Sequence, residues 1–235
     1  MKVNFHLEPK GNLRIWETSK FGEEYVIGAD VGDGVAGGDP SCAQVLRRSS
    51  FKQVAVWHGI EEPYEFGRTL SLLGYFYNTA LLAPEVNASG STTVKYLSKI
   101  SYPNIYRTKI LDHEYPEDTD RIGWRTNVHT RRLIIDFLRA CVKENSLLLY
   151  DPDTLDELKT TVKNPDTGKI EASPGNHDDR MMALAIAAFV CNELVESTGI
   201  SEESYVARFN RYEEGGVKLG RGGYFLGLDK NWCLS

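Results

Sequence analysis

The stretch Tyr25-Val26-Ile27-Gly28-Ala29-Asp30 decides the fold. Its apolar and small residues run without a polar break, which reads as a strand buried on both faces rather than the alternating pattern of a half-solvated one. The run stops at Asp30, so a carboxylate emerges at the strand end. Next comes Gly32-Asp33-Gly34-Val35-Ala36-Gly37-Gly38-Asp39-Pro40, which is turn chemistry throughout, followed by two β-type runs at 43–47 and 53–58. Three sequential strands result. Upstream, residues 1–24 hold one short apolar piece, Leu13-Arg14-Ile15-Trp16, which suits a single edge strand.

Downstream the pattern alternates. Pro63 opens a helix in which Phe66, Leu70, Leu73 and Tyr77 fall on one face. Leu81-Leu82-Ala83-Pro84-Glu85-Val86-Asn87 then reads as a strand that a β-α-β crossover returns beside the first. Pro84 fits a central strand poorly. Ser91 is expected to cap a short helix to residue 100, with a strand at 105–110 and an acidic loop at 112–120. A helix over 130–144 carries Ile134, Leu138 and Cys141 on one stripe. A strand at 147–150 precedes Asp151-Pro152, a cap and first-turn proline for a helix through Lys159. Segments 160–163 and 169–172 flank Asn164-Pro165-Asp166-Thr167-Gly168 as a β-hairpin. Residues 181–194 are apolar nearly all round, so they form a buried helix with Asp178 and Asp179 at its start. Beyond Glu196 the composition turns Gly-rich, which divides the chain into a domain at 1–196 and an extension at 197–235.

Composition sets the outer bounds. In 235 residues, 41% are hydrophobic and 26% charged, enough to bury a sizeable core. There is no run of about 18 apolar residues and no signal-peptide core, so neither membrane insertion nor secretion is expected. Cys42, Cys141, Cys191 and Cys233 lie far apart without a Cys-x-x-Cys pair, against a zinc knuckle or redox motif. The net charge of -6 disfavours a plain nucleic-acid-coating protein and requires any basic patch to be local.

Three acidic positions each terminate an apolar element: Asp30, Glu85 and the pair Asp178-Asp179. Carboxylates are hard oxygen ligands of the kind Mg²⁺ and Mn²⁺ prefer, and converging carboxylates repel one another unless a cation sits among them. Two such ions about 3.5 to 4 Å apart can hold the attacking water and the leaving oxygen of a phosphodiester in line. The plain readings stand beside this one. Asp30 alone reads as a turn former, and Asp178 and Asp179 as caps on the helix dipole. Glu85 is harder to dismiss, because an unpaired charge in an apolar strand is costly to bury. Asp33 and Asp39 read as turn residues of the glycine loop.

Taken together, the segment 25–30 with Gly37-Gly38-Asp39-Pro40-Ser41, then 82–87, then Gly123-Trp124-Arg125-Thr126, then 175–185 with its His177-Asp178-Asp179 before an Ala-rich helix, resembles one family. It is the C-terminal nuclease domain of tailed-bacteriophage large terminase subunits, and the likeness covers about residues 11 to 195. The resemblance implies an α/β fold of ribonuclease H-like type, a mixed central sheet flanked by helices with a β-hairpin before the last helix. It implies a two-metal-ion endonuclease that cuts double-stranded DNA during viral genome packaging, with Mg²⁺ or Mn²⁺ as cofactor. Asp30 would bridge both ions, Glu85 would ligate one, and Asp178 or Asp179 would close the site, while His177 reads as part of the turn. The partners implied are double-stranded DNA, the terminase ATPase domain, the portal and the small terminase subunit, in the host cell cytoplasm. The triphosphate loop Gly-x-x-x-x-Gly-Lys-Ser/Thr of the family's motor half does not occur in this sequence, so an excised nuclease domain or a stand-alone relative is expected.

Phosphate contacts are expected from Arg121, Arg125, Arg131 and Arg132, and from Lys159, Lys163 and Lys169, against the plain reading of a solvated charged face. Nothing suggests base reading, so cleavage should show little sequence specificity. The competing readings are a junction resolvase or transposase on the same core, and an actin-like or other non-catalytic interaction domain.

Overall fold

A computed structural model describes residues 11–110, 119–164 and 170–197. In chain order the elements are β1 (Leu13–Ile15), β2 (Tyr25–Asp30), β3 (Ser41–Arg47), β4 (Lys52–Gly59), α1 (Pro63–Phe76), β5 (Leu81–Pro84), α2 (Gly90–Lys99), β6 (Arg107–Ile110), β7 (Thr119–Ile122), α3 (Val128–Lys143), α4 (Pro152–Thr160), β8 (Thr161–Lys163), β9 (Ile170–Ala172) and α5 (Asp179–Ser197). The main sheet runs β1-β4-β3-β2-β5, antiparallel except for the parallel pair β2 and β5. This is the mixed, helix-flanked sheet of the ribonuclease H-like fold, and β8 pairs with β9 as the expected hairpin. Among the described residues no helix is long and apolar enough to cross a membrane.

Strand β2 lies inside the sheet between β3 and β5, and its period of two sorts its side chains. Tyr25, Ile27 and Ala29 enter one cluster with Phe66, Leu70 and Leu73 of α1. Val26 enters the other, with Met182, Leu184 and Ile186 of α5. Gly28 lies on the α5 face as well: a Cβ there would stand 2.3 Å from the carbonyl oxygen of Ala183 and 2.4 Å from the amide nitrogen of Ala187. Only a residue without a side chain lets α5 lie this close to the sheet. Asp30, two residues on, projects toward the start of that helix.

Pro84 is accommodated by direction. Just past β5, Glu85 N–H donates to the Ala29 carbonyl of β2 (2.8 Å), whereas Leu82 and Pro84 turn their backbone groups to the opposite side. There Leu82 meets residues 104–106, and the Pro84 carbonyl accepts from Trp124 N–H (2.8 Å). The missing donor falls at the seam between these two incoming segments. A parallel bridge, Glu85 to Trp124, extends the pairing beyond β5.

Several local expectations are corrected. Helix α2 starts at Gly90 and not after Ser91, because Asn87 Oδ1 accepts the Gly90 N–H (2.7 Å) and starts the turn earlier. Helix α3 starts at Val128 through a capping box between Asn127 and Thr130. The acidic loop does not extend to residue 120, since Thr119–Ile122 pairs with β6 as β7. Residues 147–150 form no strand of their own, making instead a parallel bridge from Leu148 to Lys52. Cys42, Cys141 and Cys191 are buried free thiols. The extension beyond residue 197, Cys233, Lys169 and most of the acidic loop lie outside the described residues.

Candidate functional site

The carboxyl ends of β2 and β5 lie side by side, with Ala29 opposite Pro84, so the next residues along, Asp30 and Glu85, come out together. Ends of parallel strands are where open α/β sheets place ligands. Glu85 is 7% exposed, and Asp30 and Glu85 share a hydrogen bond. Burial first, then that bond and the like charges of Glu85, Asp179 and Asp178, push the Asp30 carboxyl well above its ordinary value. Asp30 thus feels all three other acids: the strand ends and the start of α5 bring Glu85, Asp178 and Asp179 toward it.

The helix pair is divided. Asp179, the first residue of α5, is 6% exposed, and its Oδ2 is buried without a hydrogen-bond partner. The ring nitrogens His177 Nδ1 and His58 Nε2 lie 3.8 and 4.0 Å from that oxygen. Asp178 instead binds the guanidinium of Arg131 from α3. Arg131 also donates to the Ile170 carbonyl (3.1 Å), so one side chain ties α3, the β8–β9 hairpin and the acid-bearing end of α5 together.

Among the described residues no three His, Cys, Asp or Glu side chains stand in an ion-holding arrangement. Asp30 and Glu85 are closed on each other. The donor chemistry nonetheless fits a hard divalent cation, which would replace the hydrogen bond between Asp30 and Glu85 and satisfy the orphaned Asp179 oxygen.

His58 did not stand out from the sequence. Asp30 pairs with Cys42 and Cys42 with His58, so the three form one row across β2, β3 and β4, on the face toward α5. A histidine ending the third strand was the only signal. His177 is 60% exposed in the turn before α5, and within 4.0 Å of Asp39. Asp33 accepts the Val35 N–H (3.0 Å), a turn role as expected.

The basic residues separate as well. Arg121 and Arg125 are exposed on and just after β7. Arg132 is exposed and 3.5 Å from Asp136, and Lys159 is 2.9 Å from Asp156, both pairs on a solvated surface. Lys163 ends β8. Arg131 is committed to Asp178.

Neither a scan against protein-family models nor a search of curated proteins gives a match. Solved structures do. The chain is similar to the large terminase nuclease from thermophilic phage G20c with bound magnesium, at TM-score 0.62 and 19% identity, over 77% of this chain and 89% of that one. The same phage nuclease with bound cobalt gives 0.63 and 18%, with the same coverage. The Thermus phage P74-26 large terminase nuclease domain gives 0.58 and 19%, over 79% and 88%. The chain thus has the fold of phage large-terminase nuclease domains.

Proposed function

We propose that this protein is a metal-dependent endonuclease that hydrolyses the backbone of double-stranded DNA with little sequence specificity, as the nuclease half of a viral genome-packaging terminase. The observation that carries the reading is the meeting of Asp30, Glu85, Asp178 and Asp179, from two strand ends and a helix start, in this fold. Asp30, Glu85 and Asp179 would hold Mg²⁺ or Mn²⁺, with Asp178 beside them. The ions supply activation of the attacking water and neutralisation of charge on the leaving oxygen. The chain's own part is to gather carboxylates, keep the Asp179 oxygen out of bulk water and deliver phosphate. Arg121, Arg125, Arg132, Lys159, Lys163 and Lys169 would meet the duplex through its phosphates, which fixes position without reading bases. Under this reading the ATPase motor, the portal and the small subunit are the partners, in the host cytoplasm.

The test is plasmid nicking with Mg²⁺, Mn²⁺ or EDTA, on wild type and Asp30→Asn. Nicking should need the metal and fall by at least about a hundredfold in Asp30→Asn, the scale of losing one supplier of transition-state charge stabilisation. Wild-type rates in the variant, or nicking in EDTA, would defeat the assignment.

A further inference from the structure

The first residue before α5 occupies the position at which a helix normally caps itself. Met182 N–H donates to the Asp178 carbonyl (2.8 Å), so Asp178 is the N-cap residue, and its short carboxylate is of the type that accepts the amides of the second and third helical residues. It does not accept them. Those amides, Arg180 N–H and Met181 N–H, donate to Glu157 Oε2 at 2.7 and 3.1 Å, and Glu157 Oε1 accepts from Arg180 Nη1 at 3.0 Å. Glu157 belongs to another helix, α4, and is 8% exposed. Its own helix is firmly held. Asp151 caps it through Thr154 N–H (3.0 Å), Gln53 Oε1 accepts both Tyr150 N–H and Asp151 N–H (2.7 Å each), and Arg14 binds the buried Asp151 carboxylate (2.8 Å).

We infer that Glu157 is a positioning residue: it caps α5 from α4, which releases the Asp178 carboxylate from the capping role and fixes the helix start that presents Asp178 and Asp179 to Asp30 and Glu85. The inference rests on the function proposed above for those acids, but its structural half stands apart from it. Without Glu157 the two amides would be orphaned in a nearly buried place, and the nearest replacement acceptor is Asp178 itself. Its carboxylate would fold back over the helix start and leave Arg131.

The experiment compares wild type, Glu157→Ala and Glu157→Gln in the full chain. Thermal melting by circular dichroism first establishes that each is folded. Amide hydrogen exchange at Arg180 and Met181 reads the cap directly, Mn²⁺ titration by calorimetry reads the acid cluster, and plasmid nicking splits kcat from KM. Glu157→Ala is expected to lower Mn²⁺ affinity and kcat by about ten- to a hundredfold, the usual cost of losing a group that orients a metal ligand, with KM for DNA little changed. Glu157→Gln keeps a carbonyl acceptor for both amides and should recover most of that loss. A crystal structure of Glu157→Ala should show Asp178 bonded to the Arg180 or Met181 amide. Wild-type Mn²⁺ affinity and kcat in a folded Glu157→Ala would overturn the positioning role, as would an Asp178 side chain that stays on Arg131. If the wild type itself neither binds Mn²⁺ nor nicks DNA, the functional reading fails, and amide exchange and the Asp178 conformation still decide the cap.

Discussion

Asp30 carries a cost in the folded chain that a cation would relieve. Burial and three neighbouring acids raise its carboxyl well above the value of about 3.8 that it has when unfolded. The sign follows from linkage: a raised acid favours folding fully at pH below its unfolded value, and that contribution is lost as pH rises through the folded value. In metal-free protein the Asp30 contribution should therefore be lost from about pH 4 upward, and Asp30→Asn, which cannot ionise, should melt higher than wild type at pH 7 and equally near pH 3. Differential scanning fluorimetry in EDTA checks this; an asparagine variant that melts lower at neutral pH would contradict the arrangement. At this scale the sequence was informative about which acids end apolar runs, because a carboxylate that interrupts or ends such a run stands out against its apolar neighbours. The division of labour between Asp178 and Asp179 was not legible. It depends on Arg131, which is distant in sequence and reads there only as one more basic residue.

The docking of α5 on β2 is the contact between elements that sets the site. Gly28 permits it, so Gly28→Ala forces a methyl into backbone that cannot yield cheaply. Overpacking of this kind costs about 1–3 kcal/mol, and denaturant titration should show that loss. Nicking should fall by more than stability alone explains, because the start of α5 moves with its body. The two ingredients were visible separately, an unbroken apolar run at 25–30 and a helix apolar nearly all round at 181–194, and they predicted two buried elements. Their close approach was not, since a glycine in such a run looks like any other small residue. The starts of α2 and α3 escaped for a similar reason: Asn87 and Asn127 supply the turns, and asparagine serves loops and caps alike.

For the molecule as a whole, the question under the proposed reading is how a chain with net charge -6 would hold a polyanion. Part of the negative charge lies in the acid cluster and around Arg180, which meets Asp151, Asp153 and Glu157. Exposed cations elsewhere, such as Arg121 and Arg125, can then act locally. Arg125 follows Trp124, whose backbone pairs with Glu85, so it stands at the rim of the cluster. Arg125→Ala should weaken binding of catalytically inactive protein to duplexes of different sequence about equally, and reduce the slope of log affinity against log salt by about 1. Fluorescence anisotropy across a salt series measures both, and a sequence-dependent loss would point to base reading instead. Apolar patterning and motif order made the fold legible, while the surface proposed to meet DNA needs the third dimension.

The third acid-bearing element, α5, follows β2 and β5 by a long stretch of chain. A polypeptide still emerging from the ribosome would hold Asp30 and Glu85 without their counterpart. Under the proposed reading, translation order itself is a safety catch: the cell's chromosome is out of danger until α5 has been made.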